Sequence, residues 1–168
     1  MWRSFSKRVS VAVAVVSAAA LAVSADAAVA AGFHLEFPAG TACTFGVAVD
    51  GAGGDQRVTR TFVDSNGNAV RILSAGRGSQ LTFTNLSSNA TIALPASGAV
   101  MNTVVNADGL QTVTLTGNNV LIMFPSDVPA GPSTTLYVGR VVYTVDAGGV
   151  FTLVSTSGRA TDLCAALS

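Results

Sequence analysis

The sequence predicts an all-β chain, folded as an antiparallel β-sandwich or a closed barrel of about ten short strands. Three observations carry that prediction. Gly, Pro, Asn and Asp turn signals recur roughly every 8–12 residues. The runs between them are rich in β-branched and aromatic residues, many alternating apolar and polar with a period of two. No segment away from the two ends carries an apolar stripe at helical spacing.

The first 30 residues are expected to be a signal peptide, followed by one β domain over residues 31–168. Arg3, Lys7 and Arg8 form a basic start, and Val11 to Val23 is apolar apart from Ser17. Ala25-Asp26-Ala27 and Ala28-Val29-Ala30 both have the small-x-small form of a cleavage site. The apolar run is shorter than the roughly 20 residues a bilayer span needs. The expectation is a secreted protein with no membrane attachment after processing.

About 140 residues then remain, enough for one domain with a single core. They hold six arginines, no lysine and eight acids, a formal charge of −2 with no run of either sign. A basic surface for nucleic acid is therefore not expected. Cys43 and Cys164 lie near the ends of this domain. Export favours a disulfide between them, closing a loop of about 120 residues. A pair of buried free thiols is the alternative.

Taken in order, Phe33 to Phe37 alternates as a half-buried strand, and Cys43, Phe45, Val47 and Val49 are apolar at every second position. Asp50 to Asp55 reads as a loop. Arg57 to Asp64 and Ala69 to Ser74 flank Asn66-Gly67, which predicts a type I′ hairpin turn. In that register Asp64 faces Ala69, Phe62 faces Arg71 and Arg60 faces Leu73. Asp64, Arg71 and Arg60 then form a candidate polar cluster, with Arg71 in reach of the Phe62 ring and the Asp64 carboxylate. Gly76-Arg77-Gly78 predicts a turn, Gln80 to Asn85 a strand, and Thr91 to Leu94 a strand stopped by Pro95. Val100 to Asn106 and Leu110 to Thr116 flank Asp108-Gly109, a second hairpin signal. Gly117-Asn118-Asn119 reads as a break.

Val120 to Phe124 is apolar without alternation, and from Leu136 to Val145 both parities are apolar. Both predict central strands covered on two faces. Gly139 marks a bulge or a close backbone approach. Between these strands Pro125, Pro129 and Pro132 impose a stiff loop. Ser126, Asp127, Pro129 and Pro132 are its candidate partner-binding residues, unless the prolines protect a sheet edge or cross between sheets. Ala147-Gly148-Gly149 turns the chain into Val150 to Ser155. Ala160 to Leu167 suits a short helical turn that Thr161 could cap.

Chemistry-bearing motifs are sparse. The only histidine is His34, which alternates with apolar neighbours as a surface residue does. No G-x-S-x-G elbow, nucleotide-binding glycine loop or zinc-ligand spacing occurs. Asp50 and Asp55 could offer carboxylates to calcium, but a plain loop explains them. No cofactor and no metal are expected, and no catalytic residue is assigned.

The segments FVDSNGNAVRILSAGRGSQLTFTN, MFPSDVPAGPSTTLYVGRVVYTVD and SGRATDLCAALS resemble a group of small exported proteins of high-GC Gram-positive bacteria. That group has no assigned activity, so the resemblance transfers no functional residue. The function expected is a secreted, disulfide-closed, non-catalytic binding or structural module for an extracellular partner or a small apolar ligand. The alternatives are an inhibitor presenting Ser126 to Ser133 to a hydrolase, and a hydrolase using paired carboxylates.

Overall fold

A computed structural model describes residues 32–168. The proposed signal peptide, residues 1–30, lies outside the described residues. Ten strands form two antiparallel sheets, followed by one short helix. The small sheet has the order β1-β2-β5-β6, from β1 (Phe33–Phe37), β2 (Val47–Ala52), β5 (Gln80–Asn85) and β6 (Thr91–Leu94). The large sheet has the order β10-β9-β8-β7-β4-β3. Its strands are β3 (Gln56–Val63), β4 (Ala69–Arg77), β7 (Gly98–Val105), β8 (Gln111–Met123), β9 (Ser133–Val145) and β10 (Phe151–Asp162). The helix α1 is Leu163–Ala166.

The expected β class and antiparallel pairing hold, and the two sheets pack face to face as a sandwich. Val47, Val49 and Phe83 of the small sheet share one buried cluster with Cys43, Leu163 and Leu167, and Val120 and Leu136 of the large sheet pack against it.

The large sheet does not stay flat. On a flat sheet the two ends of the 13-residue strands β8 and β9 would lie about 40 Å apart. Yet Asp127, just past one end of β8, accepts hydrogen bonds from the Phe124 N–H at 2.6 Å and the Phe151 N–H at 3.0 Å. Phe151 stands beside Val145, which pairs with Gln111 at the opposite end of β8. The sheet is therefore folded back on itself.

The fold line is a row of residues in register: Arg57, Gly76, Ala99, Gly117, Gly139 and Gly158, one from each strand. All four glycines have positive φ. Inside the fold, Val113, Leu115, Val141 and Tyr143 from one side of the row share a buried cluster with Leu121 and Met123 from the other. The far halves of β8 and β9 thus lie between that cluster and the small sheet. This is why Val120 to Met123 is apolar on both parities: Val120 faces one core and Leu121 the other.

Several local expectations change. Gly117 to Asn119 is no break, because β8 runs through it from Gln111 to Met123, and β4 likewise continues to Arg77 where a turn was expected. The strand expected at Cys43 starts only at Val47, and β2 continues to Ala52 into the expected loop. At the β3–β4 hairpin Gly67 has φ of 85° but Asn66 is not left-handed, so the turn is not type I′. The Gly67 N–H bonds to the Asp64 carbonyl and the Asp64 N–H to the Asn68 carbonyl, giving a three-residue loop that ends in a left-handed glycine. The same pattern closes β7–β8 at Asn106 to Leu110 and β9–β10 at Asp146 to Val150. The extra residue shifts the pairing, so Val63 rather than Asp64 faces Ala69. Finally, Asp162, not Thr161, caps α1, its carboxylate accepting from the Ala165 N–H at 3.0 Å.

Cys43 and Cys164 form the expected disulfide, with Cα atoms 5.6 Å apart across 121 residues of sequence. It pins α1 to the irregular segment before β2. Asn85 locks the same region, its side-chain amide donating to the Leu167 carbonyl at 3.0 Å.

Candidate functional site: the inter-sheet cleft

The chain alternates between sheets: β1–β2 in the small one, β3–β4 in the large, β5–β6 in the small, β7–β10 in the large. This requires three crossovers, at residues 53–55, 78–79 and 95–97. All three wall a single cleft of about 490 Å³. Its apolar surface comes from Phe33, Leu81 and Leu94 of the small sheet and from Val120 and Leu136 of the large one. Ala99 and Arg57 bring one end of the fold line into it.

Local contacts fix these walls. Phe33 pairs with Gly51 in β1–β2, and a Cβ on Gly51 would occupy the space of the Phe33 ring. Glycine at that position therefore allows the ring to lie flat across the sheet. The second and third crossovers are stitched together by the Gly78 N–H donating to the Ser97 carbonyl at 3.0 Å. The Arg77 Nε–H donates to the neighbouring Ala96 carbonyl at 3.3 Å. In the first crossover the Asp55 carboxylate accepts from the Arg57 backbone N–H at 3.0 Å, from its Nε at 2.8 Å and from its Nη2. The guanidinium holds the Asp55 carboxyl below the usual carboxylate range, and Asp55 raises Arg57 in return.

Asn118 and Asn119 complete the lining beside the fold line. The Asn119 side-chain nitrogen is shielded from solvent and has no hydrogen-bond partner. It is the one such orphaned side-chain atom among the described residues.

The residues singled out from sequence lie elsewhere. The β8–β9 loop joins neighbouring strands of one sheet and does not cross between sheets. The Val128 N–H donates to the Phe151 carbonyl at 2.8 Å and the Leu153 N–H to the Val128 carbonyl at 2.7 Å. The loop thereby covers one end of the β10 edge. Ser126 and Pro129 are exposed and Pro132 is half-buried. Asp127, 4% exposed, is spent on holding the fold together and cannot face a partner.

In the polar cluster Arg71 sits 5.7 Å from the Phe62 ring centroid, as expected. Its ion pair with Asp64 does not form. The Arg71 Nε–H donates instead to Asn102 Oδ1 on β7 at 2.6 Å, while the Asp64 carboxylate accepts from the Asn66 and Asn68 N–H groups of its own turn. Arg60 stands opposite Leu73 and joins no ion pair among the described residues.

His34 lies on the outer face of the small sheet, with Nδ1 2.6 Å from Asp50 and Nε2 3.3 Å from Glu36. Hydrogen bonding to Asp50, then to Glu36, raises its pKa. Among the described residues no group of three or more His, Cys, Asp or Glu side chains has the arrangement to hold a metal ion.

The cleft was not legible as a site. Gly53-Gly54, Gly78-Ser79 and Pro95-Ala96-Ser97 read as separate turns, and nothing local says that they converge. The chain matches no protein-family profile, no curated protein sequence and no solved structure.

Proposed function

We propose that this protein is a secreted, non-catalytic binding module whose inter-sheet cleft takes a small, largely apolar ligand. The observation that carries this is the convergence of all three sheet crossovers on one concave, mainly apolar cleft. Its volume of about 490 Å³ is that of an ordinary small-molecule site. The lining supports binding better than hydrolysis. Its one carboxylate, Asp55, is committed to Arg57, whereas a glycoside hydrolase needs two working carboxylates facing one cleft. Export is supported by the leader-like start and by the disulfide, which persists in oxidising compartments. The resemblance to small exported proteins of high-GC Gram-positive bacteria agrees with this.

Titration of the disulfide-bonded protein with the uncharged fluorophore N-phenylnaphthylamine tests the proposal. The expected result is saturable binding that Ser97→Trp, which fills the cleft from its wall, abolishes. Absence of saturation, or saturation that Ser97→Trp leaves untouched, would remove it.

A further inference from the structure

We infer that the outer face of the doubled large sheet binds a linear acidic polysaccharide, whose carboxylates pair with Arg77 and Arg140. This surface shares only Ala99 with the cleft and does not depend on what the cleft takes.

Strand register carries it. Residues directly opposed in antiparallel strands put their side chains on one face. Arg60 faces Leu73, Leu73 faces Asn102 and Asn102 faces Thr114. Arg71, two residues from Leu73, and Arg140, opposite Thr116, belong to that face. Arg77, opposite Gly98, and Arg159, opposite Val138, extend it just past the fold line. All five arginines are exposed, and none is ion-paired among the described residues. No acid shares the face. Asp55 is committed to Arg57, His34 holds Glu36 and Asp50 on the small sheet, Asp127 is buried and Asp162 caps α1. Asp64, Asp108 and Asp146 sit in hairpin turns, about 20 Å along the strands from the fold line. Near-balanced composition therefore conceals a surface of one sign.

Strand spacing sets what fits there. Arg77 on β4 and Arg140 on β9 are three strands apart, roughly 14 Å, too far for one small anion. Between them runs a shallow groove of about 410 Å³. Its lining includes Gly98, which faces Arg77, Thr116, which faces Arg140, and Val100. A chain with carboxylates at intervals can meet each guanidinium in a bidentate fork and lay uncharged sugar rings over the groove between. Duplex nucleic acid carries a charge about every 1.7 Å and would leave most phosphates over glycine, valine and threonine. A bilayer needs protruding apolar side chains to insert, and the groove offers a recess instead.

The test measures binding of the disulfide-bonded protein to hyaluronate, a linear glycan with a carboxylate on alternate sugars, by biolayer interferometry at low and at physiological salt. Neutral dextran, duplex DNA and phosphatidylglycerol vesicles are the comparisons. Saturable hyaluronate binding is expected, at least about tenfold tighter than dextran and weakened by salt. Arg77→Gln and Arg140→Gln should each weaken it about threefold to tenfold. Thr91→Glu makes the same change of charge on the outer face of the small sheet, in the row of Glu36, and should alter it less than about twofold. In the unmutated protein the Gly98, Thr116 and Gly117 amide resonances should shift with hyaluronate, a readout that needs no variant to fold. No saturation, or equal losses from Arg140→Gln and Thr91→Glu, overturns the arginine face as the site. Tighter binding of DNA or of the vesicles than of hyaluronate overturns the polysaccharide assignment.

Discussion

Gly139 and Gly158 face each other across β9 and β10, and the backbone beside each fills the space where the other's side chain would begin. A Cβ on Gly139 would collide with the Ser157 carbonyl oxygen and lie 3.0 Å from the Gly158 Cα; a Cβ on Gly158 would collide with the Val138 carbonyl oxygen and lie 3.0 Å from the Gly139 Cα. With Gly117 and Gly76 in the same register, this pair marks the line along which the large sheet doubles back.

Alanine at Gly139, where φ is 146°, therefore meets both a disfavoured backbone conformation and a backbone collision. Gly139→Ala is expected to destabilise by at least about 2 kcal/mol in urea unfolding. Gly78→Ala, with open space around the added carbon and no left-handed φ, should stay within about 0.5 kcal/mol of the parent. Equal effects at the two sites would refute the fold-line account.

Asp127 closes that fold. Asp127→Ala leaves the Phe124 and Phe151 N–H groups without their acceptor, and a loss of about 3 kcal/mol is expected. Asp127→Asn keeps one accepting oxygen and should cost less. Hydrogen exchange should accelerate selectively at Phe124, Phe151 and Val128. Uniform acceleration across the sheet would argue against a local clamp.

Reduction of Cys43–Cys164, or its replacement by serines, frees a loop of 121 residues in the unfolded chain. The chain-entropy estimate is about 5 kcal/mol, comparable to the whole stability of a small domain. Chemical denaturation with and without reductant measures it. A midpoint that does not move would show that the α1 contacts of Leu163 and Leu167 hold the C-terminus unaided.

His34 bridges Asp50 and Glu36 on an exposed face, and its pKa is raised above the ordinary imidazole value of 6.5. The protonated form is favoured in the folded state. Its contribution is therefore fully present below about pH 6.5 and is lost as pH rises through the raised pKa. An NMR titration should place the His34 midpoint above 6.5 and return it toward that value in Asp50→Asn. A midpoint at the ordinary value in the parent would show that the bridge does not persist in solution.

The sequence by itself determined the strands, their antiparallel class and the disulfide. Period-two runs and turn residues act over a few positions, and a domain with two cysteines offers each only the other as a partner. It also marked Val120 to Phe124 as covered on two faces, because an apolar residue at every position has no side left for water. Only the tertiary structure decided that the large sheet folds along Gly76, Gly117, Gly139 and Gly158. Those glycines lie 19 to 41 residues apart in sequence, so no short window shows that they share one register. Hairpin register shows the same limit: Asn66-Gly67 announces a turn and Phe62 faces Arg71 as expected, but one extra residue in the loop exchanged Asp64 for Val63 opposite Ala69, and Arg71 bonds Asn102 on β7, a strand that no local signal places beside it. The cleft is the extreme case, since strand order brings its three crossovers together, and strand order is a long-range pairing choice that no short window of sequence encodes.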